Sequence, residues 1–310
     1  MAYGHDEKPN STLRFIWNSD ELKFLGRSID SWALITVYLI GLYLFLAAFV
    51  VACIAVFYET LDNTVPKWYG EDSLTMNNPG LGIRPLPQFD TTLIRFQQGK
   101  PSSYKPYTDH LESYLMQYEN NLYQGRKLVE CSVSPLAVRP LESTCRVDID
   151  EMIGKSECTK EKDFGYEDGQ PCVLLKMNRV FGFSPQPYAS IDELVQDNKL
   201  KTQPRFLAFT PNLTIAIGCE GENPADRENI LDGGIVFYPN EQDNGYAGLP
   251  KINYPFLNQE GFLSPFIMMK FKNFNRRVVI QIVCTMYARN IVNSGKAQKH
   301  GIVKFELLKD

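Results

Sequence analysis

Three short stretches and three histidines carry residue types that could do chemistry. Gly154-Lys155-Ser156 resembles the end of a phosphate-cradling loop, in which backbone N–H groups hold the anion and the lysine reaches its outer oxygens. The glycine such a loop needs five residues earlier is replaced by Ile149. Asp148-Ile149-Asp150 spaces two carboxylates as a D-x-D pair, which could hold a divalent metal and a sugar nucleotide in a luminal transferase. It lies between Cys145 and Cys158 without alternating strands and helices around it, so a solvated acidic turn is expected. The three histidines, His5, His110 and His300, are scattered, and neither a C-x-x-C nor an H-E-x-x-H motif occurs. The expectation is therefore no catalytic residue, no metal site and no cofactor. Asn212-Leu213-Thr214 fits the acceptor pattern for N-glycosylation, which marks Asn212 as a modified residue on an exposed edge.

Cysteine usage adds a compartment. Six cysteines (Cys131, Cys145, Cys158, Cys172, Cys219 and Cys284) lie in the C-terminal part, and Cys53 stands apart from them. An even set confined to one segment points to disulfides in an oxidising compartment, although spacing alone does not choose among the pairings.

One element must position all of this. Ser31 to Tyr58 runs for 28 residues without a charge, longer than the roughly 20 apolar residues a bilayer core requires. Trp32 at one end, and Phe57 with Tyr58 at the other, suit the headgroup region. The length of the run and its distance from the N-terminus separate it from a signal peptide. Arg14, Lys23 and Arg27 precede it, whereas Lys67 is the lone basic residue among the 20 that follow. That asymmetry places the N-terminus in the cytosol. The expected organisation is a single-span type II membrane protein. Residues 1–31 form a cytoplasmic tail, 32–58 a transmembrane α-helix, 59–102 an extracellular linker and 103–310 an extracellular β-sandwich domain. Membrane lipid is thus one partner. A net charge of −4 gives no reason to expect nucleic acid as another.

The span limits function directly. It holds no acid, base or amide between Trp32 and Tyr58, so it cannot coordinate an ion or relay a proton, and any transport belongs to another chain. Gly41, Ala48, Ala52 and Ala55 fall on one helical stripe of small residues, the kind of surface that lets a second helix approach closely.

Beyond the span, Asn77-Asn78-Pro79-Gly80-Leu81-Gly82 reads as turn-rich linker. A helix is expected from Ser103 to Tyr123, with Tyr107, Leu111, Tyr114, Leu115, Tyr118 and Leu122 on its apolar face. Strands are expected at 172–183, 213–219, 234–238, 265–272, 277–287 and near the end at 303–308, where the period changes to two. Ser190 to Glu193 fits a capping box for a short helix. Many short strands, turn signals and disulfides suggest an immunoglobulin-like β-sandwich with an added helix.

The residues now assembled resemble the β-subunit family of the Na,K-ATPase and H,K-ATPase. Phe15-Ile16-Trp17-Asn18, Phe24-Leu25-Gly26-Arg27-Ser28 and Trp32 look like the family signature before the span. Pro79-Gly80-Leu81-Gly82, Ser103-Tyr104, Phe164-Gly165-Tyr166 through Gly169, and Pro171-Cys172 match further landmarks. So do Asn178-Arg179, Gly182-Phe183, Tyr254-Pro255-Phe256, Cys284 with Tyr287, and Gly301. The likeness runs the length of the chain. The stretch from Cys145-Arg146 to Cys158-Thr159-Lys160 departs from the family pattern, as in a divergent, invertebrate-like member.

The resemblance implies a non-catalytic β subunit of a P-type Na+/K+-transporting ATPase in the plasma membrane. It would support the folding, membrane delivery and K+ occlusion of a catalytic α subunit. It implies three sequential disulfides, Cys131–Cys145, Cys158–Cys172 and Cys219–Cys284, the last closing the longest loop and so contributing most to stability. It places Tyr38 and Tyr43 at the intramembrane contact with the α subunit, where the small-residue stripe of Gly41, Ala48 and Ala52 would also pack, and Tyr254, Pro255 and Phe256 at an extracellular one. Five residues apart, the two tyrosines point about 140° apart on an ideal helix, so at most one need face the partner. A small single-span regulatory subunit is a further expected partner. The alternatives are an H+/K+-ATPase β subunit, or a pump-independent adhesion or surface-binding protein on the same ectodomain.

Overall fold

The computed structural model describes residues 16–18, 22–73, 79–118, 128–131, 143–153, 156–198, 212–231, 234–239, 246–291 and 301–310. They fall into two units, Met1–Asn63 and Thr64–Asp310.

The first unit is built on helix α1 (Ile29–Glu59), whose 31 residues include none that is buried. At 1.5 Å per residue it is about 46 Å long, and a helix apolar all round suits lipid all round. It is the one helix among the described residues long and apolar enough to cross a membrane. Ahead of it, Trp17–Asn18, Lys23–Phe24 and Arg27–Ser28 pair as a small antiparallel sheet. The Trp32 indole N–H donates to the Phe24 carbonyl at 2.8 Å. The Phe24 ring lies 6.0 Å from Trp32 and 6.5 Å from Trp17. Trp17, Phe24 and Trp32 of the pre-span signature therefore make one cluster at the start of the helix.

The second unit is a β-sandwich. Its strands are β1 (Leu81–Arg84), β2 (Leu93–Phe96), β3 (Cys172–Met177), β4 (Thr214–Gly221), β5 (Ile235–Tyr238), β6 (Tyr246–Pro250), β7 (Phe266–Phe271), β8 (Ile280–Tyr287) and β9 (Ile302–Lys309). One sheet has the order β5-β7-β3-β1 and the other β6-β4-β8-β9-β2. All neighbours are antiparallel except β9 and β2, which run parallel. Side chains from both sheets join one hydrophobic cluster, including Ile83 of β1, Leu175 of β3, Ile217 of β4, Ile282 of β8 and Phe305 of β9.

Two expectations need correction. Residues 59–102, expected to be linker, contribute strands β1 and β2. Each is only four residues long and is flanked by Pro, Gly or Asp turns, too short for alternation to stand out. Their core positions are nonetheless fully committed, with Ile83, Ile94 and Phe96 at 1–2% exposure. The strand expected at 172–183 ends at Met177. There the Asn178 N–H donates to the Gly80 carbonyl at 2.9 Å, and the chain turns through Gly182 at φ +73°.

Helix α2 (Pro101–Leu115) begins earlier than expected and runs into a 3-10 turn at Met116–Tyr118. Pro101 sits at its first position, where a missing N–H costs nothing. Tyr104, Thr108, Leu111 and Leu115 form its buried stripe. Leu122 and Tyr123 lie outside the described residues. Helix α2 packs over the first sheet: Tyr118 donates to the Ser264 carbonyl at 2.9 Å and meets the Phe266 ring edge-on at 5.1 Å. This cover explains why β7 is buried at every position while β8 alternates. A strand covered on both faces reads as a continuous apolar run.

The remaining helices are short: α3 (Ile149–Ile153), α4 (Ile191–Asn198) and α5 (Pro224–Asn229). At α4 the expected cap forms. The Glu193 N–H donates to Ser190 Oγ at 3.1 Å, while the Glu193 carboxylate accepts from Ala189 N–H rather than from the cap residue itself.

Candidate functional site

Helix α1 carries the first group of candidate partner residues. At 100° per residue, Ala48, Ala52 and Ala55 fall within about 40° of Gly41. Tyr38 borders that stripe at about 60°, and Tyr43 lies about 160° away on the opposite side. Both tyrosines are fully presented, at 67% and 66% exposure, and a Cβ added at Gly41 would meet nothing within 4 Å. The stripe and Tyr38 thus share a face, which Tyr43 does not.

The ectodomain is stapled three times. Cys131–Cys145 and Cys158–Cys172 each close a sequence separation of 14, and Cys219–Cys284 closes 65. The last joins facing residues of the adjacent strands β4 and β8, at a Cα separation of 4.1 Å. In antibody domains the corresponding bridge crosses between sheets; here it locks two strands of one sheet. Glu157, next to the second staple, holds the buried ammonium of Lys270. That hydrogen bond and charge keep the Glu157 carboxyl below its ordinary value.

Tyr254, Pro255 and Phe256 are not equally available. Tyr254 is turned inward at 6% exposure, with its ring 6.1 Å from Phe262, and burial raises its phenol pKa. Pro255 and Phe256 are half-buried. Phe256 bridges to Phe181, accepts from the Gly182 N–H at 2.9 Å through its carbonyl, and packs tilted against Phe262 with ring centroids 4.9 Å apart. The segment is held by the Phe181 bridge and the Phe262 ring, and leaves Pro255 and Phe256 partly exposed. The Arg179 guanidinium lies over both rings, 5.7 Å from the centroid of Phe256 and 5.5 Å from that of Phe262. Nothing in the sequence marked that contact, because Arg179 and Phe262 are 83 positions apart.

Landmark glycines and aromatics prove to be structural. A Cβ on Gly82 would lie 2.7 Å from Asn178 Oδ1, so two separate landmarks meet where β1 joins β3. Gly165, at φ +74°, would place a Cβ 2.2 Å from the Gln170 carbonyl oxygen. It frees Tyr166 to enter the core, where it stacks on Tyr107 at 5.9 Å and on Tyr104 at 6.2 Å and meets Phe96 edge-on at 5.2 Å. The Tyr166 hydroxyl is buried without a partner among the described residues, and burial raises its pKa strongly.

Of the candidate catalytic fragments, the D-x-D pair serves the backbone. Asp148 accepts from the Asp150 N–H at 2.9 Å, an N-terminal cap of α3, and its other oxygen lies 3.5 Å from Arg146. A cleft of about 310 Å³ beside it is rimmed by Asp148, Asp150, Glu161 and the Glu112–Lys160 pair, over Ile153 and Phe164. Among the described residues, no group of three or more His, Cys, Asp or Glu could hold a metal ion. Gly154, Lys155, His5 and His300 lie outside the described residues. His110 stands on α2; burial, then the charge of Arg84, lowers its pKa. Asn212 is exposed at φ +62°, just before β4.

These features define a class: an ectodomain of two β-sheets with three disulfides, in a chain whose described residues include one long apolar helix near the N-terminus. The family model described as "Sodium / potassium ATPase beta chain" matches residues 4–305, and the chain belongs to that family. It is 36% identical over 320 residues to sodium/potassium-transporting ATPase subunit beta-2 of Drosophila melanogaster, covering 98% of this chain and 93% of that one. It is 31% identical over 314 residues to subunit beta-1 of the same organism, covering 98% and 94%.

Proposed function

We propose that this chain is the non-catalytic β subunit of a P-type Na+/K+-transporting ATPase. It assembles with a catalytic α subunit and supports that subunit's folding, delivery to the plasma membrane and K+ occlusion. The observation that carries the reading is the family match, which runs through the span and the ectodomain alike. The chemistry of the span agrees with it: a helix without acid, base or amide between Trp32 and Tyr58 leaves ion handling to a partner.

In this reading residues 1–31 are cytoplasmic, 32–58 cross the bilayer and the rest is extracellular, with Asn212 glycosylated. Gly41, Ala48 and Ala52, with Tyr38 at their border, face a helix of the α subunit, because small residues allow close approach in lipid. Tyr43 is left to lipid or to a small regulatory subunit. Outside the membrane, Pro255 and Phe256 touch the α subunit, and Tyr254 supports them from within.

The test is dependence. A catalytic α subunit expressed alone should remain in the endoplasmic reticulum, and co-expression of this chain should bring it to the cell surface. Equal surface delivery with and without this chain would refute the role.

A further inference from the structure

The loop around Phe256 and the 3-10 turn after α2 enclose a surface cleft of about 390 Å³, lined among others by Gln117, Arg179, Phe256, Asn258 and Phe262. Arg179 is the one charged residue in that lining, and no acid accompanies it. Its guanidinium is held over two aromatic faces at 5.5 and 5.7 Å. Among the described residues it has no carboxylate partner, and the side chain is exposed. The walls are already shaped. Asn258 Nδ2 donates to the Thr64 carbonyl at 2.6 Å, while Gln259 accepts from Leu257 N–H at 2.9 Å and donates to the Pro255 carbonyl at 3.1 Å.

An arginine in this setting has one strong use left. The two aromatic rings attract the charge without using a donor and leave its five N–H groups, in a fixed fork, for an acceptor of matching shape. A carboxylate matches bidentately, and a single cation suits a single negative charge better than a phosphate dianion. The aromatic floor lowers the orientational freedom that an exposed arginine would otherwise lose on binding.

We propose that the Arg179 cleft is the docking point for an Asp or Glu side chain on an extracellular loop of the pump's catalytic chain. This rests on the subunit reading above and deepens it, because Phe256, half of the stack, belongs to the segment assigned to that contact. The carboxylate enters edge-on to the guanidinium, and neighbouring apolar atoms of the partner loop cover the Phe256 ring.

The test uses the full-length tagged chain co-expressed with the catalytic chain of a sodium/potassium pump and purified in mild detergent. The amount of catalytic chain retained is measured at rising NaCl concentration for wild type, Arg179→Gln, Arg179→Lys and Gln117→Glu. Arg179→Gln is expected to lower retention about tenfold, the scale of a lost interfacial charge pair, and to flatten its salt dependence. Arg179→Lys keeps the charge without the fork and falls between. Gln117→Glu leaves the stacked rings intact but supplies an internal carboxylate, and is expected to act like Arg179→Gln. It also decides the matter if Arg179→Gln fails to fold. Wild-type retention in Gln117→Glu would overturn the proposal, whatever Arg179→Gln does. If wild type itself retains no catalytic chain, the subunit reading fails, and the docking proposal with it.

Discussion

Removing one oxygen atom should stabilise this ectodomain. Tyr166 is fully buried between Tyr107, Tyr104 and Phe96, and its hydroxyl finds no partner among the described residues. An unsatisfied buried hydroxyl costs about 1–3 kcal/mol in desolvation, and deleting it recovers most of that, less the small void left behind. Tyr166→Phe keeps the ring and all three aromatic contacts, so a net gain of about 1 kcal/mol is expected. For a unit the size of Thr64–Asp310, that raises the melting temperature by about 2–4 °C. Tyr166→Ala empties the stack and should cost about 3–5 kcal/mol. Thermal unfolding of the purified full chain, followed by tyrosine and tryptophan fluorescence, separates the two. A loss of 1 kcal/mol or more in Tyr166→Phe would refute the reasoning, because it would mean the hydroxyl makes a bond that holds the core together.

Three other outcomes are expected. Lys270 holds the Glu157 carboxyl below its ordinary value of 4.5, so the pair's contribution is complete above that pH and is lost as pH falls through the lower folded value. Glu157→Gln should lower stability at neutral pH, by leaving the buried Lys270 ammonium unpaired, and should flatten the acid limb of the pH–stability curve; an unchanged acid limb would count against the pair. Replacing Cys219 and Cys284 together by Ala should cost about 4 kcal/mol in a denaturant titration, against about 3 for Cys158 and Cys172, if loop entropy over separations of 65 and 14 governs. The opposite order would show that local packing governs instead. Asn212→Gln should abolish the mobility shift that an N-glycosidase produces in wild type, and a persisting shift would place the glycan elsewhere.

Legibility followed the range of the forces involved. The span needs only composition, so Ser31 to Tyr58 declared itself without any tertiary knowledge. Strand β8 could be read because one of its faces meets the core and the other does not, and α2 because its stripe repeats at helical spacing. Strands β1 and β2 were hidden: each is four residues long, and their partners β3 and β9 lie about 90 and 210 positions away. Segment 59–102 therefore looked like linker. The Tyr254-Pro255-Phe256 stretch was legible as a unit but not as to which ring faces inward, since burial of Tyr254 depends on Phe262 beyond the turn. Arg179 was legible as a landmark but its contact with Phe256 and Phe262 was not, because that contact joins residues far apart in the chain. The D-x-D pair shows the converse. Its spacing alone fits a metal site as well as the acidic turn expected from its surroundings, and in the structure Asp148 caps the backbone of a following helix.

The central claim is tested most directly by what this chain carries with it. The full chain, tagged at its N-terminus, would be expressed in animal cells, drawn from membranes in mild detergent and assayed for ATP hydrolysis. The account predicts a co-purifying multi-span polypeptide whose ATPase activity requires both Na+ and K+. Recovery of the mature, glycosylated chain alone, without such a partner or activity, would contradict it.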